Sequence, residues 1–246
     1  MAKRKFSVWR GDAKGGDFVD YEIEAGPGMV VLDGIHRIQA EQANDLAVRW
    51  NCKAGKCGSC SVEINGMPKL ACMTRMSDYP AEETIVVQPM RAFPVLKDLV
   101  TDVKWNFGVN RRIKPFRPRK PDKDGQHRMY QRDVDRIQEF RKCIECFLCQ
   151  DTCHVLRDHK LHEEFAGPRF MIRLASLEMH PLDTESRVAE LRRLHGIGYC
   201  NITKCCTTVC PEEIKITDNA IIPLKERVVD DAFDPLTKLI GLFRRS

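Results

Sequence analysis

Eleven residues, Cys143-Ile-Glu-Cys146-Phe-Leu-Cys149-Gln-Asp-Thr-Cys153, constrain the chain more than any other stretch. Their spacing, C-x2-C-x2-C-x3-C, is the ligand run of a bacterial-type ferredoxin, whose fourth cysteine serves the other of two iron–sulfur clusters. A second group answers it: Cys200-Asn-Ile-Thr-Lys-Cys205-Cys206-Thr-Thr-Val-Cys210-Pro211. Crossing the two predicts that Cys143, Cys146 and Cys149 share a [4Fe-4S] cluster with Cys210. Where a full second set needs another cysteine, position 203 is threonine. Cys153, Cys200 and Cys206 therefore read as the ligands of a [3Fe-4S] cluster. Cys205 is the alternative fourth donor, although adjacent residues rarely point at one metal. A pair of structural zinc sites is the competing reading, but zinc knuckles come as C-x2-C pairs and a triple run fits them badly.

A third group lies upstream. Cys52-Lys-Ala-Gly-Lys-Cys57-Gly-Ser-Cys60, with Cys72 twelve residues on, has the C-x4-C-x2-C…C spacing of a plant-type [2Fe-2S] ferredoxin. Gly55 and Gly58 suit a loop that wraps a cluster, where backbone must approach closely and take positive φ. The flanking residues read as a small sheet with one helix. Lys5–Trp9 and Phe18–Ile23 alternate, Val31, Ile35 and Ile38 recur at helical spacing, and Asn65-Gly66 turns a hairpin between Ser61–Ile64 and Lys69–Met73. A short helix is expected over Val95–Trp105.

The second half reads as helical: Asp133–Cys143 delivering the first ligand loop, Pro168–Met179, Thr184–Leu194, and a helix from Asn219 capped by Asp218. The tail from Pro235 is amphipathic, with Leu236, Leu239, Ile240 and Phe243 against Lys238, Arg244 and Arg245, and could touch a membrane or a partner. The expected fold class is α+β. An N-terminal β-grasp, plant-type ferredoxin domain (1–110) precedes a basic Pro-rich linker (111–130) and an all-α bacterial-ferredoxin-like domain (131–246).

Charge and composition narrow the function. The net +5 is concentrated in 111–128, where eight Lys or Arg stand against Asp122 and Asp124. Without a reader module or interleaved aromatics, that run reads as an extended, partner-facing linker and not as a nucleic-acid site. Twelve cysteines in ligand spacings point to metal chemistry in a reducing compartment. No secretion signal and no apolar run of roughly 18 residues is visible. There is no Gly-rich dinucleotide loop and no nucleophile elbow, so no catalytic residue is expected, and the chemistry is movement of single electrons. His159-x2-His162 is a weak metal pair. His154, directly after Cys153, is a candidate for tuning a potential or handling a proton.

A plant-type ferredoxin domain followed by a bacterial-type one, with three cysteine groups in this order, closely resembles the iron–sulfur subunit of succinate dehydrogenase and fumarate reductase. Phe93-Pro-Val-Leu-Lys-Asp-Leu-Val-Thr-Asp102, Arg141-Lys-Cys-Ile-Glu-Cys146 and Val209-Cys210-Pro211 also look like the family's segments. The resemblance implies a wire from the covalent FAD of a flavoprotein subunit to a membrane anchor and its quinone. Cys52, Cys57, Cys60 and Cys72 would hold the cluster nearest the flavin, and Cys153, Cys200 and Cys206 the one facing the quinone. It also implies a peripheral place on the cytoplasmic face of the cell membrane and a part in the tricarboxylic acid cycle and aerobic respiration, or fumarate reduction in reverse. Departures gather at the quinone end. His154 stands where the family usually has Pro, Asp158 where a Trp helps bind quinone, Asn201 where a His often lies near haem, and Cys205 where Asn is common.

Overall fold

The computed structural model describes residues 2–233; the amphipathic tail from Pro235 lies outside the described residues. The chain opens with two eleven-residue strands, β1 (Ala2–Asp12) and β2 (Gly15–Ala25), paired antiparallel from Ala2↔Ala25 to Asp12↔Gly15. In β1 the expected alternation holds, burying Phe6 and Val8 completely. β2 overruns the core, so Phe18 and Val19 stay exposed and Ile23 is its one buried side chain.

Helix α1 (Val31–Glu41) lays Val31, Leu32, Ile35 and Ile38 on the sheet. The ligand loop follows, then the hairpin β3 (Ser61–Ile64) and β4 (Met67–Leu70), turned by Asn65 at φ 47 and Gly66 at φ 78. Positive φ at both central residues matches the right-handed twist of the flanking strands. β5 (Ile85–Gln88) runs parallel to β1, completing the core of a seven-stranded mixed sheet ordered β4-β3-β5-β1-β6-β7, with β2 on β1.

The helix expected over Val95–Trp105 is instead a hairpin of β6 (Val95–Lys97) and β7 (Val100–Thr101), followed by α2 (Lys104–Arg112). Asp98 explains the difference. Its backbone sits at φ 48, and its buried carboxylate accepts hydrogen bonds from Arg10 Nε, Gly11 N and Ala47 N at 2.8–3.0 Å, pinning a turn.

The basic stretch is not extended throughout: Arg111 and Arg112 finish α2, residues 122–126 turn back with Gly125 N donating to Asp122 O, and the segment between lies along the helical half. Arg119 N donates to Leu182 O and Thr184 N to Arg117 O. Arg187, fully buried, donates to the carbonyls of Lys114 and Pro115 at 2.8 and 2.6 Å. Beyond it come α3 (Gln131–Ile137), continued by a 3-10 turn into Cys143, then α4 (Leu148–Asp151), α5 (His154–Arg157) and α6 (Pro168–Glu178). The next helix, α7, covers only Val188–Arg193 and not Thr184–Leu194, because residues 184–187 are committed to holding the linker.

After α8 (Cys205–Thr208), a π-helical turn over Ile216–Ile221 leads into α9 (Ile222–Phe233). Pro223 lacks an N–H and sits in the first turn of α9, so the regular ladder restarts there. Asp218 therefore falls inside the π turn and caps nothing; its carboxylate pairs with Lys204 at 2.7 Å.

The two hydrophobic cores interlock. Met90, Ala92, Phe93 and Val109 belong to the core of the helical half, while Cys146 and Leu148 belong to that of the sheet.

Candidate iron–sulfur centres

The upstream loop builds its site from backbone. Lys53, Gly55 and Gly58 take φ of 54, 67 and 68, which turns amides inward. Cys52 Sγ accepts from Ala54 N and Lys56 N at 3.4 Å, Cys57 Sγ from Ser59 N and Cys60 Sγ from Cys72 N at 3.5 Å. Burial works against the Cys57 thiolate, but donors from Ser59 and Cys52 win and bring it down to about 7. Cys60 is more deeply buried, and burial with Cys72 beside it pushes its thiol up to about 12.

In the helical half the cysteines gather around two small cavities of similar size, about 20 Å³ each. The first is lined by Cys143, Cys146, Cys149 and Cys210 with apolar walls from Phe147, Ile172, Ile214 and Ile216. The second is lined by Cys153, Cys200 and Cys206, with Thr203 and Cys205 on the same wall. Burial pushes the thiols of Cys146 and Cys153 up to about 12 and that of Cys206 to about 11, and raises Cys149 and Cys210. Such thiols ionise only when a metal compensates the desolvated charge, so this donor set fits iron–sulfur ligation. Among the described residues no three His, Cys, Asp or Glu side chains converge on a single-ion position; the cysteines stand around cavities.

The two loops share one backbone design. Glu145 and Phe147 take φ 57 and 62 in the first; Ile202 and Lys204 take 63 and 62 in the second. Each then enters a one-turn helix, α4 or α8.

Residues 5–107 match the family model of the 2Fe-2S iron–sulfur cluster binding domain and 139–214 that of the 4Fe-4S dicluster domain. The fumarate reductase iron–sulfur subunit of Mycobacterium tuberculosis is 34% identical over 205 residues, 80% of each chain. The chain belongs to the iron–sulfur subunit family of succinate dehydrogenase and fumarate reductase. Within that family it is also 30% identical to a mitochondrial succinate dehydrogenase (ubiquinone) iron–sulfur subunit of Arabidopsis thaliana, covering 86% of this chain and 68% of that one. A solved structure described as the Mycobacterium smegmatis Sdh1 complex in the apo form is 60% identical, with a TM-score of 0.92 over 96% of this chain and 99% of that one. As in its relatives, the work of this chain is electron transfer within an oxidoreductase complex.

Its two ferredoxin units touch at their cluster loops. A Cβ on Gly58 would meet Cys146 Cα at 2.5 Å, so glycine sets the closeness of this contact. Ser61 Oγ lies 2.8 Å from the carbonyl oxygens of both Gly58 and Cys146. Lys56, in the upstream loop, pairs with Glu212 beside Cys210 at 2.9 Å.

At the far end, His154 and Asn201 line the second cavity, and Asp158 pairs with Arg157. His159 and His162 are not a metal pair. His162 Nε2 lies 2.9 Å from Ala92 O and its ring packs edge-on to Trp105, whereas His159 packs against His154. Sequence reasoning missed Arg169, a buried cation on the wall of the first cavity. The only signal was an arginine directly after Gly167-Pro168, at a helix start.

Among the described residues no helix is long and apolar enough to cross a membrane.

Proposed function

We propose that the chain is the electron-transfer subunit of a succinate dehydrogenase, passing electrons from a flavoprotein's FAD to quinone at a membrane anchor. One observation carries this reading: 60% identity along nearly the whole length of both chains to the Mycobacterium smegmatis Sdh1 structure. In this reading Cys52, Cys57, Cys60 and Cys72 hold a [2Fe-2S] cluster, Cys143, Cys146, Cys149 and Cys210 a [4Fe-4S] cluster, and Cys153, Cys200 and Cys206 a [3Fe-4S] cluster. Bound there, the clusters supply reversible one-electron transfer.

The protein's own part is to hold and insulate. Amides of Ala54 and Lys56 stabilise charge on Cys52, apolar walls exclude water from the two helical cavities, and Gly58 keeps the upstream loop against Cys146. FAD and dicarboxylate belong to a separate flavoprotein subunit. The quinone lies near the Cys153–Cys200–Cys206 end, held by anchor subunits at the cytoplasmic face of the membrane. Succinate oxidation then places the chain in the tricarboxylic acid cycle.

Low-temperature EPR on anaerobically isolated complex, oxidised and dithionite-reduced, tests the three clusters, with iron, sulfide and zinc counted on the same sample. Absence of a three-iron signal or a preponderance of zinc defeats the assignment. The fumarate reductase reading is favoured by the 34% relative of that name. The ratio of succinate oxidation to fumarate reduction decides between the two directions.

A further inference from the structure

The four-cysteine cavity has one wall group that ligation does not explain. Arg169 is the second residue of α6, after Pro168, and its side chain is 7% exposed. One end of its guanidinium pairs with Glu145, the residue between Cys143 and Cys146 that carries the left-handed turn of the loop. Its Nε–H is buried and finds no acceptor among the described residues, yet the side chain lines the cavity of Cys143, Cys146, Cys149 and Cys210. Folds rarely leave such a donor unpaired, least of all on a cation.

The placement is fixed from behind. Gln150, next to Cys149, accepts from Arg169 N at 3.2 Å and donates to Asn106 Oδ1 and Ala166 O. The second cavity meets the same helix end through Pro168, which has no N–H to offer.

Resting on the cluster assignment above, we infer that Arg169 Nε donates a hydrogen bond to a sulfur atom of the four-iron cluster and holds that cluster's reduction potential up. Reduction adds negative charge, and a donor or cation beside the sulfurs stabilises the reduced form more than the oxidised one. Glu145 trims the effect by neutralising part of the guanidinium charge.

The test is an EPR-monitored redox titration of the intact complex, isolated through this chain, as wild type, R169M and E145Q. In R169M the four-iron reduction equilibrium is expected to fall about tenfold, or 59 mV for a one-electron couple, with the two-iron and three-iron midpoints in place. In E145Q the same midpoint is expected to rise. Should R169M fail to assemble its cluster, the sign of the E145Q shift decides. A four-iron midpoint that does not move, or three midpoints that move together as in a general loosening, overturns the inference alone. A wild-type complex with no four-iron signal removes the cluster assignment and this inference with it.

Discussion

Thr203 holds in the second cysteine loop the place that Cys146 holds in the first. Both sit between two left-handed residues, Ile202 and Lys204 in one loop and Glu145 and Phe147 in the other. By the same register Cys205 answers to Leu148, a residue 1% exposed in the sheet core. Cys205 instead lines the second cavity, with its Sγ 3.3 Å from Thr203 Oγ1. On the proposed [3Fe-4S] assignment, the fourth ligand is then a missing side chain on a backbone already shaped for it. T203C is expected to convert the second cluster to a four-iron form, extinguishing the oxidised-state three-iron EPR signal and raising iron from about nine to about ten per chain. C205S in the wild-type background is expected to leave that signal in place; its loss would make Cys205 a ligand.

The cysteine groups, the gathering of Cys210 around one cavity with the first group and the Asn65-Gly66 hairpin were legible because spacing and turn chemistry are local properties of a sequence. The hairpin over residues 95–101 was not, because its determinant is tertiary: Asp98 turns where Gly11 and Ala47 from distant segments present amides to it. Likewise residues 184–187 read as helix by pattern and are irregular because Arg117 and the carbonyls of Lys114 and Pro115 compete for them. Arg169 escaped notice for a similar reason. Nothing local distinguishes an arginine at a helix start that faces solvent from one buried in a cavity wall.

Gly58 is expected to tolerate no side chain. Alanine there adds the left-handed backbone penalty, about 1–2 kcal/mol, to a Cβ placed 2.5 Å from Cys146 Cα. G58A should lower both two-iron and four-iron loading and slow electron transfer between them. Gly125 is the matched control, since it has φ +80 but open space around its Cβ position; G125A should cost the backbone penalty alone. Equal loading in the two variants would remove any special role for the Gly58 contact.

Arg187 ties the basic stretch to the helical half. Its guanidinium lies 3.0 Å from Asp183 and 3.6 Å from Glu178, both carboxylates nearly inaccessible. R187M leaves Asp183 buried without its cation and Glu178 with Arg227 alone at 3.8 Å; losing one partner of a buried pair costs about 3–5 kcal/mol, and two linker carbonyls are freed. A lowered melting temperature together with new proteolytic cleavage between residues 114 and 128 is expected. Lower stability with no change in linker cleavage would mean that the linker is held by its other contacts.

His195 gives the fold an acid limit. Its ring is fully buried, neither nitrogen has a partner among the described residues, and burial lowers its pKa from the ordinary 6.5; Arg112 reinforces this and Glu190 opposes it. A histidine held neutral in the fold but free to protonate when unfolded contributes stability that is present above pH 6.5 and lost as pH falls through the lower folded value. Between about pH 7 and about pH 5 the wild-type melting temperature should therefore drop more steeply than that of H195L, whose side chain has no charge to gain. Parallel slopes would show that the acid sensitivity of this subunit arises from other groups.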